Sequence, residues 1–274
     1  MFEMLNYSFI TNALISALFI GPLLGLMGTL VVSKKMAFYS EAIGHAAMTG
    51  IAMGIILGEA SSTPYFYTFS YSILFGILII YTKTKTDIAS DTLIGIFLAV
   101  SIAIGASLLT YTAGTINPHI IENILFGSIL TIEKIDIYIL ITITIVVFII
   151  LYPCYNKLLL ISLNPSIALA RKINIKLYEY IFIILLSVTT IGVIKIVGSI
   201  LVEALLLIPT AAAKNISHSM KEFIRYSILF STLSCVLGII LPAYLTISIP
   251  SGAAVILAST IIFIMSIIIK KLKA

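Results

Sequence analysis

The sequence predicts an all-α bundle of about nine membrane-spanning helices, with eight to ten compatible with it, the N-terminus outside and the C-terminus in the cytoplasm. Three observations predict this. Of the 274 residues, 61% are hydrophobic and only 10% are charged, where a soluble domain carries roughly 25% charged residues. So little polar surface cannot cover a body in water, and the mean hydropathy of +1.20 points the same way. Second, apolar runs of about 20 residues, the length that crosses a bilayer core, recur along the whole chain. Third, the basic residues fall in alternate connections, the signature of cytoplasmic loops.

The apolar runs cover residues 8–32, 41–58, 64–82, 91–113, 135–154, 177–194, 196–213, 224–246 and 251–269. The first lacks a basic leader and is too long for the core of a signal peptide, so it reads as a span. The sixth and seventh are separated only by Ile194, Lys195 and Ile196, which leaves a tight turn or a broken helix open there. With the connection holding Lys34 and Lys35 called inside, the later inside segments carry Lys83 and Lys85; Lys157, Arg171, Lys172 and Lys176; Lys214, Lys221 and Arg225; and Lys270, Lys271 and Lys273. Only Lys134 and Lys195 of the 16 basic residues fall outside. The net charge of +5 thus reflects membrane topology and gives no reason to expect nucleic acid as a partner.

Among the outside connections, 112–134 contains a short apolar stretch, Ile120 to Leu130, too brief to cross and read as re-entrant or interfacial. The inside segment 155–176 is the most informative. Asn164 suits a helix N-cap and Pro165 the first helical position, so a helix of about two turns is expected there, ending near Asn174. Two turns are unstable alone in water, and such a helix needs a surface to dock on.

Ionisable groups inside a membrane are costly and mark pathways or partners. Glu41 and His45, four residues apart, share one face of the second span, and Met48 and Ala52 continue the stripe. A carboxylate and an imidazole together suit divalent transition metals; the plainer reading is a pair near the interface that caps the helix. The opposite face, Ala46, Gly50, Gly54 and Gly58, is a ladder of small residues that admits another helix closely. Glu203 lies within the seventh span, roughly on a face with Ser199 and Thr210, and either lines a path or is a satisfied structural acid. His119 and His218 read as solvated loop residues and Asp91 as a helix-start acid. Cys154 and Cys235 read as packing residues, since no CxxC or His-Cys cluster occurs. The chain has no GxxxxGK[ST] loop, GxSxG, HExxH or Rossmann-type glycine pattern, so an enzyme finds no support and any ATP hydrolysis falls to another subunit.

Seven stretches in order carry a resemblance: GLMGTLVVSKKM at 25–36, AFYSEAIGHAAMTG at 37–50, DTLIGIF at 91–97, LFGSIL at 125–130, NPSIALAR at 164–171, VGSILVEALLLIPTAAA at 197–213 and PSGAAVIL at 250–257. With these the chain resembles the membrane permease subunits of bacterial ABC importers for zinc, manganese and iron, the ABC-3 family. The resemblance implies a single permease domain in the bacterial inner membrane, paired with a second permease subunit, most simply as a homodimer. It further implies cytoplasmic ATP-binding subunits, an extracytoplasmic metal-binding protein, a transported divalent ion and no cofactor held by this chain. The helix of Asn164, Pro165, Ala168, Arg171 and Lys172 would be the coupling helix that seats on the ATPase. The family's acid-x-x-x-His element falls on Glu41 and His45, although the family commonly has Asp first and Ser where this chain has Gly44. Glu203 stands where a small or apolar residue is expected, so the resemblance gives it no role. The alternatives are a secondary metal-ion carrier, which would leave the docking helix unexplained, and an ABC permease for a metal chelate, in which the Glu41/His45 face would be incidental.

Overall fold

Every described element is helical, because a chain in lipid must satisfy its backbone N–H and C=O groups internally. The computed structural model describes residues 8–59, 65–86, 88–111, 134–245 and 249–273. In chain order the helices are α1 (Ser8–Lys34), α2 (Tyr39–Ile56), α3 (Tyr65–Lys85), α4 (Ser90–Tyr111), α5 (Lys134–Leu163), α6 (Pro165–Ala170), α7 (Ile175–Val197), α8 (Ser199–Ile216), α9 (Met220–Leu245) and α10 (Ser251–Lys273). The predicted re-entrant stretch 120–130, the LFGSIL motif and His119 lie outside the described residues, as do the side chains of Lys134 and Lys195.

Eight of these helices are long and apolar enough to cross a membrane, namely α1, α3, α4, α5, α7, α8, α9 and α10. The second predicted span, α2, falls short because Glu41, His45 and its glycines dilute an 18-residue helix. Packing compensates: α2 lies against α3, α4, α7 and α8. From Tyr39 to Ala52 every residue except Glu41 and His45 is buried. A helix wrapped by protein need not be apolar itself.

Hydroxyls tie the bundle together. Tyr155 on α5 bonds Thr29 on α1 at 2.7 Å, and Tyr39 on α2 bonds Ser187 on α7 at 3.1 Å. Thr210 on α8 bonds Ser227 on α9 at 2.8 Å, and Ser227 donates to the Gly25 carbonyl of α1 at 2.7 Å. Asn215 on α8 donates to Ser266 on α10 at 3.1 Å. Bonds of this kind contribute about 0.6 kcal/mol each on average in a membrane; their larger effect is to fix which helices meet. The small-residue ladder also works as expected at Gly50, where a Cβ would come within 2.8 Å of Thr68 Cα on α3. Gly58 lies beyond the end of α2, where an added Cβ would meet nothing within 4 Å.

Basic residues of α1, α3 and α5 gather at one end. Lys34 stands 5.3 Å from the Phe182 ring centroid, Lys83 lies 3.6 Å from Glu179, and Lys157 donates to Tyr178 at 2.7 Å. The first turns of α7 thus receive the basic ends of α1, α3 and α5. Helix α9 runs antiparallel to α1, with Gly21 against Thr232 and Gly25 against Ile228, so it begins at this same end; α8 and α10 end there too, because only residues 217–219 join α8 to α9 and Asn215 meets Ser266.

Three boundaries differ from the sequence reading. The break predicted at 194–196 falls at Gly198, which alone separates α7 from α8 with φ 84° and ψ 159°. Both α7's start and α8's end lie at the basic end, so the pair forms a V with Gly198 at its apex. Lys195 is no breaker, whereas Gly198 can take a backbone geometry that other residues avoid. Gly198→Ala is expected to cost about 1–3 kcal/mol, read as a lower melting temperature of the purified protein in detergent. Second, α5 runs nine residues past the predicted end at 154, to Leu163. Its 30 residues reach about 45 Å at 1.5 Å per residue, well beyond a bilayer core. Third, α6 stops at Ala170 instead of near Asn174. Lys172 takes a left-handed φ of 56°, the Ile173 N–H closes on the Ala168 carbonyl at 3.0 Å, and Asn174 caps α7 through the Leu177 N–H at 3.2 Å.

Candidate functional site

The polar residues of α2 form a window in a sealed helix. Glu41 sits in the first turn of α2, where the positive end of the helix dipole favours a carboxylate. His45 follows one turn later, within reach of Glu41's charge. Both are half-buried, while Met48 and Ala52 above them are buried, so the predicted stripe is open only at its two ionisable members. No side-chain hydrogen bond caps the start of α2, so Glu41 stands in the first turn without a capping bond.

Glu203 lies on α8 near this window. Gly44 is the point of contact: a Cβ there would stand 3.2 Å from Ser199 Cβ and 3.3 Å from Ile194 Cδ1, at the apex of the V. Helix α2 runs away from the basic end and α8 runs toward it. Three residues back along α2 from Gly44 is Glu41, and four residues on along α8 from Ser199 is Glu203. Both steps descend one helical turn toward the basic end, which brings the two carboxylates to one level. Sequence reasoning placed the three residues on two separate spans and had no means of joining them. Among the described residues, no group of three or more His, Cys, Asp or Glu side chains is close enough to hold a metal ion. Glu41, His45 and Glu203 therefore form no closed cage.

The other predicted residues behave differently from one another. The side-chain oxygen of Asn164 accepts from the Ile167 N–H at 3.2 Å, and Pro165 takes the first helical position, as the sequence predicts. Ala168 is fully buried and anchors α6 on the bundle. Arg171 and Lys172 are exposed. Sequence reasoning missed Leu163, Ile167 and Leu169, exposed at 59%, 45% and 62% around this short helix. Their signal was present as apolar side chains on a helix outside any span. Asn164→Ala should destabilise α6 by about 1 kcal/mol, read as faster proteolysis within 160–175, while Asn164→Ser should not.

His218 is bound into the start of α9, where its backbone N–H donates to Glu222 at 2.8 Å and the Glu222 N–H donates to Ser219 Oγ at 3.2 Å. Cys154 and Cys235 are unpaired. A shallow apolar groove lined by Arg225, Ile228, Leu229, Thr232, Leu233 and Val236 lies on α9 and includes none of the candidate residues.

A many-helix membrane body with a half-buried carboxylate and imidazole on α2 and a short helix at its basic end is built as a membrane permease. Residues 6–270 match the ABC 3 transport family, and the chain belongs to it. It is 31% identical to the manganese import system permease protein ScaB of Streptococcus gordonii over 264 residues, 96% of this chain and 92% of that one. It is 30% identical to the high-affinity zinc uptake system membrane protein ZnuB of Haemophilus influenzae over 270 residues, 97% of this chain and 98% of that one. Its fold matches PsaBC from Streptococcus pneumoniae, solved in complex with Fab, with a TM-score of 0.82 and 27% identity over 97% of this chain and 93% of that one. With its apolar spans, this makes it a multi-pass protein of the bacterial inner membrane.

Proposed function

We propose that this chain is the permease subunit of an ATP-driven importer of divalent transition-metal ions, zinc, manganese or iron, and that Glu41 and His45 handle the ion as it passes. The observation that carries the role of these two residues is the window itself. In an ABC 3 family chain, α2 is sealed from Tyr39 to Ala52 except at one carboxylate and one imidazole. A transport site must admit an ion and release it, and two donors per subunit suit a transient site. A second copy of the chain supplies the other wall of the pathway.

The basic end faces the cytoplasm by the distribution of Lys and Arg, which puts the N-terminus outside and the C-terminus inside. ATP hydrolysis belongs to a cytoplasmic ATP-binding subunit. The α6 region, with Asn164 and Pro165 shaping it, Ala168 anchoring it and Arg171 and Lys172 beside it, receives that subunit. ATP binding draws two such subunits together, the α6 helices transmit the motion, and the pathway alternates between its two faces. An extracytoplasmic metal-binding protein delivers the ion. Uptake of radioactive manganese, zinc and iron by cells lacking the gene tests this reading. Loss of at least one metal's uptake, restored by the gene, is expected; undiminished uptake of all three would overturn it.

A further inference from the structure

Helix α9 carries an apolar groove that the path at α2 does not use. Its lining residues, Arg225, Ile228, Leu229, Thr232, Leu233 and Val236, recur at helical spacing along one face. One turn before Arg225 the same face carries Lys221, so Lys221, Arg225, Leu229 and Leu233 form an exposed row at intervals of four. Helix α1 borders the groove, with Gly21 against Thr232 and Gly25 against Ile228. Both cations stand at the basic end, where α9 begins. Topology accounts for positive charge at this end, but not for its alignment with an apolar trough. Helix stability does not account for Lys221 either, since the dipole disfavours a cation in the first turn. Among the described residues, neither Lys221 nor Arg225 makes a hydrogen bond or ion pair. Glu222, between them, accepts from the His218 N–H at 2.8 Å. The length of the groove is the second observation. From Arg225 to Val236 it spans about 16 Å at 1.5 Å per residue, close to the roughly 15 Å that one leaflet contributes to a bilayer core. It therefore ends near the midplane, while α9 continues to Leu245. A second spanning helix would need a seam through both leaflets, whereas an acyl chain needs one.

Independently of the metal path, and resting on the cytoplasmic placement of the basic end, we propose that this groove binds an anionic phospholipid of the cytoplasmic leaflet. An acyl chain lies along Leu229, Leu233 and Val236, and the phosphate meets Arg225 with Lys221 beside it. A guanidinium matches phosphate oxygens in pairs, which fixes the headgroup as well as attracting it. A zwitterionic lipid brings the same phosphate together with a cation of its own, which the two side chains repel. Charge thus selects the headgroup, and the length of the groove selects the leaflet.

The sequence has no tryptophan, so a single introduced one reports its own surroundings. The full chain carrying Leu229→Trp is reconstituted into phosphatidylcholine vesicles that contain increasing fractions of bromine-labelled phosphatidylglycerol or of bromine-labelled phosphatidylcholine, and quenching of its fluorescence is read. Phosphatidylglycerol should reach half-quenching at about a thirtyfold lower fraction, from about fivefold per cation near the membrane surface. Adding Arg225→Gln should reduce the preference to about fivefold, and adding Lys221→Gln as well should abolish it. Arg225→Lys, which keeps the charge, should retain most of it. Tyr244→Trp, 65% exposed on the same helix but in the other leaflet, should be quenched equally by both lipids. Leu233→Trp repeats the measurement should Leu229→Trp fail to fold. Equal quenching by the two lipids at the groove would mark an ordinary lipid-facing surface and overturn the proposal. So would protection from both lipids, the result of a second copy of the chain seated there. A preference that survives loss of both cations would overturn it as well.

Discussion

His45→Ala is expected to abolish metal uptake while the protein remains inserted and bound to its ATP-binding subunit. The separation follows from where His45 sits. It is half-buried on α2, makes none of the interhelical hydrogen bonds described above, and its neighbours at Gly44 and Ala46 carry the packing against the other helices. Removing the imidazole therefore leaves the helix contacts in place and takes away the nitrogen donor of the window. The expected loss is large because one carboxylate alone holds a transition metal weakly in competition with water. Metal uptake and copurification with the ATP-binding subunit are measured on the same cells. Normal uptake by this variant would remove His45 from the pathway.

The double variant Ile167→Asp, Leu169→Asp is expected to release the ATP-binding subunit. These side chains are 45% and 62% exposed at the basic end, on a helix whose inner face is already committed through Ala168. Full burial of such a side chain contributes about 1.5–3 kcal/mol, and with about half of each still open to a partner, losing both costs about 2 kcal/mol, roughly thirtyfold in affinity. Placing carboxylates in a closed apolar contact adds to that loss. The permease itself should still insert, since both residues are exposed on a helix outside the spans. Copurification from detergent measures the effect, and undiminished recovery of the subunit with the double variant would show that the partner binds elsewhere.

Much of this architecture was legible because lipid leaves the chain few options. An apolar run of about 20 residues has to be a helix, so α1, α3, α4, α9 and α10 fall close to the predicted runs. Where the sequence reading slipped, it used a fall in hydropathy as a substitute for an end of a helix. The polar residues Tyr155, Asn156 and Lys157 lowered hydropathy after 154, yet they continue α5, with Tyr155 bonded to Thr29 and Lys157 to Tyr178. Lys195 marked a break for the same reason, whereas the backbone stayed hydrogen-bonded until Gly198 could turn it. Asn174 looked like the end of α6 because it is a good cap; it caps the helix after it.

The site was legible one helix at a time. Glu41 and His45 share a face by spacing alone, and the structure leaves those two as the open positions of α2. Glu203 had no visible partner, because its nearness to Glu41 depends on the V at Gly198 and on the contact of Gly44 with Ser199. Those are long-range facts that no local pattern encodes. The exposed face of α6 lay between these cases: Asn164 and Pro165 announced the helix, but which of its side chains pointed outward depended on its docking through Ala168.

The most direct measurement places the purified permease in sealed vesicles, with and without its ATP-binding subunit, the metal-binding protein on the delivery side and ATP on the other. Metal should accumulate only when the ATP-binding subunit is present and hydrolysing ATP, and should stop when hydrolysis is blocked. Equal metal movement by the permease alone, with no nucleotide, would contradict the account.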